Sequence, residues 1–231
     1  MKAVILDVGG VLLVPHFDTV APALEPFEVS VDAASAERAH FYGALALDEA
    51  PYDQPDTGLY IPAYLEGLGV APEDRPLAGE RLRAAWSVPN LDVWRQQVRG
   101  SMVGLRKLAD SDVKLGIISN SDGSVEEQLR RGRICQIGEG FGVPVLAIID
   151  SGVVGVAKPA AEIFRHALDP LGVEPEQALY VGDTRRYDVR GARAAGLVPV
   201  HFDPYELCPE PNDHAHVVTL SDVETLVRED G

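Results

Sequence analysis

The chain has 231 residues, 46% of them hydrophobic and 24% charged, which excludes wholesale disorder and allows a sizeable core without disulfide support. Lys plus Arg total 20 against 36 Asp plus Glu, a formal charge of −16 that repels nucleic acid and anionic membrane, so neither is expected as a partner. By a prior of roughly 150 residues per domain, the length suits one large domain or one domain carrying an insertion.

The first predicted element is Ala3–Leu6, an apolar run that stops at Asp7. With one lysine before it and an aspartate after it, the run is too brief for a signal peptide. No later apolar stretch approaches the roughly 18 residues needed to span a bilayer. A cytoplasmic placement is therefore expected. Residues 14–100 follow, with helix-compatible patterns around Ala33–Leu47 and Gly79–Trp86 and punctuation by Pro51, Pro55, Pro62, Pro72, Pro76 and Pro89. Nothing in this stretch reads as a strong buried strand, so it is expected to be a helical insertion. It holds 14 acidic and 6 basic residues, and the tail from Phe202 holds 8 acidic and 1 basic, so the remainder is nearly neutral. The acidity thus need not repel an anionic substrate.

Beyond the insertion, helix patterns at Val103–Asp110, Val125–Arg131, Ala161–Leu171 and Val189–Ala195 alternate with short apolar runs. Those runs are Val113–Ser119, Val145–Ile149, Ala178–Val181 and Leu197–Phe202. Runs of this length without polar alternation suit strands buried on both faces, and the alternation predicts an α/β fold, a Rossmann-like parallel sheet. Ligands of such sheets sit beyond the carboxyl ends of the strands, where Asp7, Ser119 and Asp183 stand. The two cysteines, Cys135 and Cys208, have no CxxC or Cys/His ligand spacing and read as reduced thiols.

Four motifs occur in order: Asp7-Val8-Gly9-Gly10-Val11-Leu12; Ile117-Ile118-Ser119-Asn120-Ser121; Lys158-Pro159 with Glu162-Ile163-Phe164; and Gly182-Asp183-Thr184-Arg185-Arg186-Tyr187-Asp188. Together they resemble the haloacid dehalogenase-like hydrolase superfamily, over nearly all the chain outside the insertion. The resemblance implies a core of residues 1–13 and 101–231 and a helical cap of the first type, residues 14–100, that closes over the active site. It also implies a magnesium-dependent phosphatase acting on a small phosphorylated metabolite. Asp7 would be the carboxylate nucleophile that forms an aspartyl-phosphate. Mg²⁺ suits one or two carboxylates plus a substrate phosphate, with Asp7, the Gly9 carbonyl and Asp183 as ligands and Asp188 ligating or orienting a bound water. Lys158 would supply charge to the phosphoryl oxygens, while Ser119 and the Asn120 amide donate hydrogen bonds to substrate. Ser121-Asp122-Gly123 is expected to open a helix whose N–H groups favour an anion.

One position departs from the pattern. Phosphatases of this superfamily usually carry a second aspartate two residues after the nucleophile, as acid and base, and Gly9 stands there. A 2-haloacid dehalogenase, whose halide leaving group needs no proton, and a non-catalytic binder of phosphorylated ligands remain alternatives. Asp183 favours the phosphatase, because dehalogenases of the superfamily need no metal and typically have serine at that place. In the insertion, Tyr42, Tyr52, Tyr60, Tyr64, Trp86 and Trp94 are candidates to stack on a substrate, and Arg38 or His40 to read a polar group. His16, soon after the first strand, is the candidate side chain to replace the missing acid.

Overall fold

A computed structural model describes residues 1–51, 58–88, 92–210 and 212–229. The strands in chain order are β1 (Ala3–Leu6), β2 (Leu13–Pro15), β3 (Trp94–Gln97), β4 (Lys114–Ser119), β5 (Cys135–Ile137), β6 (Val143–Val145), β7 (Ala147–Asp150), β8 (Ala178–Gly182), β9 (Val198–Phe202) and β10 (Ala215–Val217). The α-helices are α1 (Phe17–Leu24), α2 (Ala33–Glu49), α3 (Tyr60–Gly67), α4 (Arg75–Trp86), α5 (Ser101–Ala109), α6 (Val125–Arg131), α7 (Ser151–Val154), α8 (Ala161–Leu171), α9 (Arg190–Ala194) and α10 (Val223–Glu229). The chain divides into two compact units, Met1–Leu12 with Arg99–Gly231, and Leu13–Val98.

The first unit is built on a six-stranded sheet in the order β10-β9-β8-β1-β4-β7, parallel throughout. Its central strands are continuous apolar runs buried on both faces, as helices on each side of a parallel sheet require. Helix α8 shows how one layer is fixed. Ile163, Phe164, Ala167, Leu168 and Leu171 share a face and pack with Ile5, Ile118 and Tyr180, while Gly172 at φ +59° ends the helix in a left-handed turn. The chain runs outward through β4 and β7 on one side of β1, then returns to β8, β9 and β10 on the other. That reversal leaves a crevice between the carboxyl ends of β1 and β8. Among the described residues, no helix is long and apolar enough to cross a membrane.

One expectation for this unit changes. The run Val145–Ile149 is not one strand: β6 ends at Val145 and pairs with β5, while β7 begins at Ala147 in the main sheet. Pro144, with no N–H to donate, lies within the short β5–β6 pair. Helix α6 starts at Val125 as its pattern predicted, so Ser121-Asp122-Gly123, expected to open it, lies just before it.

The second unit packs α1, α3 and α4 around Val20, Leu24, Tyr64, Leu65, Ala78 and Leu82. Helix α2 begins with a capping box in which Asp32 and Ser35 each accept from the other's backbone N–H. Two prolines that read as breaks lie inside helical first turns, Pro62 in α3 and Pro76 in α4, where the missing N–H costs nothing. The unit is not purely helical. Strands β2 and β3 form an antiparallel ribbon, Leu13 opposite Gln97 and Val14 opposite Gln96. Trp94-Arg95-Gln96-Gln97 is too polar for a buried strand, and its pairing comes from a partner some 80 residues away in the chain.

Candidate active site

Asp7 follows β1, and its backbone N–H donates to the carbonyl of Val181 in β8, so the crevice begins at this residue. Its Oδ1 accepts from the N–H of Val8 at 2.7 Å, and its Oδ2 lies 2.8 Å from Lys158 Nζ. Gly9 is half-buried in the turn that follows, and Gly10 at φ +70° takes a conformation that favours glycine. Asp183, just past β8, and Asp188, in a π-helical turn over Arg185–Val189, complete a group whose carboxylate oxygens, one from each of Asp7, Asp183 and Asp188, lie within 4.8 Å of one another.

Lys158 is the buried cation that makes this tolerable. Its Nζ lies 2.7 Å from Asp188 Oδ1 and donates to the Tyr180 hydroxyl at 2.9 Å. Burial pulls its ammonium down, but Asp188 and Asp7 outweigh burial and hold it above the ordinary lysine value. Asp7 feels the opposite balance. Burial foremost, then Asp188 and Asp183, against Lys158, pushes its carboxyl up to about 8.

Asp188 is saturated by the protein. Its Oδ1 accepts from Lys158 and Tyr180, its Oδ2 from the N–H and hydroxyl of Thr184. A Cβ on Gly182 would come within 2.3 Å of Asp188 Cγ, so only glycine lets this carboxylate fold back under β8. Tyr180 and Thr184 escaped notice in the sequence. Tyr180 sits in an apolar run that reads as core, and Thr184 as filler between two aspartates. A hydroxyl on a strand residue two positions before Gly182-Asp183 was the available signal.

Ser119 is buried at the carboxyl end of β4, the strand beside β1. Asn120 makes a contact that its sequence position did not announce. Its side-chain amide donates to the Lys158 carbonyl at 3.0 Å and its Oδ1 accepts the Lys158 N–H at 2.8 Å. The side chain clamps the loop that carries the lysine, next to the cis Lys158–Pro159 bond. The expected anion site before α6 is also filled, by the protein itself. Asp150 accepts from the N–H groups of Gly123, Val125 and Gly152, and Asp122 from that of Ser124. Asp150 does here what a bound anion would do.

In the second unit, Tyr60, Tyr64, Trp86 and Trp94 pack on one another, with Tyr64 fully buried. His40 is buried against them with its Nδ1 2.8 Å from the Tyr60 hydroxyl, and Tyr42 lies on Gly67 of α3. Arg38 is exposed, and Tyr52 lies outside the described residues. His16 caps α1: its Nδ1 accepts from the Asp18 N–H. These aromatics are core packing of their unit.

The phosphoserine phosphatase of Thermus thermophilus is 45% identical over 67 residues, which are 29% of this chain and 27% of that protein. The chain spans between about a quarter and a half of the length of such curated relatives. Among solved structures, the magnesium-bound HAD-hydrolase YfnB of Bacillus subtilis superposes with a TM-score of 0.62 at 17% identity, covering 98% of both chains. A 2-haloacid dehalogenase of Pseudomonas syringae gives 0.57 at 21%, covering all of both. The fold is thus shared by both chemistries. A model described as haloacid dehalogenase-like hydrolase matches residues 1–196, most of the 231, and the chain belongs to that family.

Proposed function

We propose that this chain is a magnesium-dependent phosphatase that hydrolyses a small phosphorylated metabolite through an aspartyl-phosphate on Asp7. The observation that carries the reading is Lys158 Nζ between Asp7 and Asp188, at 2.8 and 2.7 Å, with Asp183 completing the carboxylate cluster. Phosphatase names among the relatives support it. A hard divalent cation fits the donor set, because oxygens of three buried carboxylates, Asp7, Asp183 and Asp188, lie within 4.8 Å of one another. Asp7, the Gly9 carbonyl and Asp183 would hold it; when bound, Mg²⁺ supplies charge that lets a carboxylate approach a phosphoryl group.

The chain's own residues then have these tasks. The Asp7 carboxylate attacks phosphorus, a bond to Asp7 forms, and the bond to the leaving oxygen breaks with its electron pair. Lys158, kept protonated by its two carboxylates, faces the charge that grows on the phosphoryl oxygens, and the Ser119 hydroxyl donates to one of them. Water then attacks phosphorus and releases Asp7. Asp188, with all its visible partners in the protein, orients Lys158 and a water rather than giving up an oxygen. Asn120 positions the lysine through its backbone. The helical unit over residues 14–100 would act as the cap that selects the metabolite.

Asp183 argues against the dehalogenase. Release of phosphate from an aryl phosphate, with and without Mg²⁺, run beside halide release from a 2-haloacid, decides between the two. Magnesium-dependent phosphate release that vanishes in Asp7→Asn, with the fold intact by circular dichroism, is expected. Halide release without metal would replace this reading with the dehalogenase.

A further inference from the structure

Beyond β8 in the sheet, β9 and β10 bring three histidines and a cysteine together. His201 and His216 are register partners across the β9–β10 pair. His214 immediately precedes β10, and Cys208 lies in the segment that joins the two strands. One ligand atom from each of the four falls within 4.8 Å of all the others. His214 Nε2 is 3.2 Å from His201 Nδ1 and 3.9 Å from Cys208 Sγ. Tetrahedral zinc, with bonds of roughly 2.0–2.1 Å to nitrogen and 2.3 Å to sulfur, sets its ligands about 3.3 Å apart for N–N and about 3.6 Å for N–S. The cluster already stands near that spacing. The sequence hid it, since Cys208 and the two nearer histidines fit no common ligand pattern and His201 comes from another strand.

The surroundings aim the rings. His201 Nε2 is 3.1 Å from the Asp183 carbonyl, His214 Nδ1 is 3.4 Å from Asp213 Oδ2, and His216 Nδ1 is 4.0 Å from Asp203 Oδ2. All three neighbours are acceptors. A proton on each of these outer nitrogens leaves a lone pair on His201 Nδ1, His214 Nε2 and His216 Nε2, the arrangement by which metal-bound imidazoles are held. In that tautomer pair the inward nitrogens of His201 and His214, 3.2 Å apart, share no proton, and a cation between them relieves the repulsion of their lone pairs. His216 Nε2 is buried and has no hydrogen-bond partner among the described residues, a donor atom with nothing to satisfy it. Asp203 also accepts the N–H groups of Leu207 and Cys208, which turns the segment so that the sulfur comes back to the strands.

We propose that His201, Cys208, His214 and His216 form a zinc site separate from the carboxylate cluster. Three imidazoles and a thiolate suit zinc and not magnesium, and four protein ligands leave no open position, so the site is structural. It pins the acidic C-terminal segment to β9. Through His201, it also supports the backbone of Asp183.

The test uses the whole chain without an affinity tag, stripped of metal and titrated with Co²⁺. One equivalent should bind, with the intense visible bands of a tetrahedral site and a near-ultraviolet thiolate-to-cobalt band, both discharged by one equivalent of Zn²⁺. Asp183→Asn should keep this signature, which separates it from the carboxylate cluster. Cys208→Ser should lose the thiolate band, and His214→Ala should weaken zinc binding by on the order of 100-fold or more. A wild-type spectrum that is weak and octahedral, or that lacks the thiolate band, overturns the proposal even if neither variant folds. So does zinc binding that Cys208→Ser leaves unchanged.

Discussion

Lys158 is flanked by two buried carboxylates, so its removal does more than deprive a phosphoryl group of a positive charge. In Lys158→Ala, Asp7 and Asp188 face each other without a counter-ion, and breaking a buried pair in this way costs roughly 3–5 kcal/mol. Denaturant unfolding should show that loss, and phosphate release should fall by several orders of magnitude at temperatures where the variant remains folded. An activity loss with unchanged stability would mean that Asp188 and Tyr180 hold the site without the lysine. Gly9 carries the second consequence at this scale. On the proposed phosphatase reading, the lack of a carboxyl group there would leave the departing oxygen with little proton assistance, and positioned proton transfer is worth roughly 10²–10⁴ in rate. A plot of log kcat/KM against leaving-group pKa should be steep, with aryl and acyl phosphates turned over well and simple alkyl monoesters poorly. A shallow slope would mean that another residue donates the proton. Asp7 and Asp183 were legible as candidates because strand-end position and motif order both mark them, and Lys158 through motif order alone. The clamp of Asn120 on the lysine's own backbone was not legible, since only the fold brings the two together.

At the scale of elements, the sheet and helices of the first unit could be read because burial on both faces leaves an uninterrupted apolar signature. The β2–β3 ribbon could not, because it is short, half polar and paired across the whole second unit. The span of α6, Val125–Arg131, was legible, but what caps it was not. Its N–H groups are met by Asp150, an aspartate at the end of a different strand, and no local pattern announces a cap from 25 residues away. Asp150→Ala would strip acceptors from Gly123, Val125 and Gly152 together. A lost cap costs about 0.5–2 kcal/mol, and three donors left with one partner fewer put this variant at the upper end. Asp150→Asn retains one acceptor oxygen and should lie between, which chemical denaturation of the three proteins would measure. Equal stability of Asp150→Ala and wild type would show that water replaces the carboxylate at no cost.

For the whole molecule, the carboxylate cluster makes stability depend on pH and on metal together. The Asp7 carboxyl is pushed up to about 8 from an ordinary value near 4, so the folded chain holds a proton there that the unfolded chain releases. The sign follows. Asp7 contributes no penalty below about pH 4, and stability is lost progressively as pH rises from there to about 8. Other groups act in the opposite direction: His214 and His216, held below the ordinary histidine value chiefly by burial, lose stability as pH falls through the histidine range. The whole-protein curve therefore mixes the two, and a comparison with Asp7→Asn isolates the carboxylate. The amide carries no charge to bury. In metal-free buffer, the Tm of Asp7→Asn minus that of wild type should increase from pH 5 to pH 8.5. On the proposed magnesium reading, millimolar Mg²⁺ would stabilise the ionised cluster by mass action and should narrow that difference most at the high end. In Asp183→Asn the narrowing should be greatly reduced. A Tm difference that stays flat with pH would mean that Asp7 remains ionised throughout, with Lys158 alone sufficient to hold its charge in the fold.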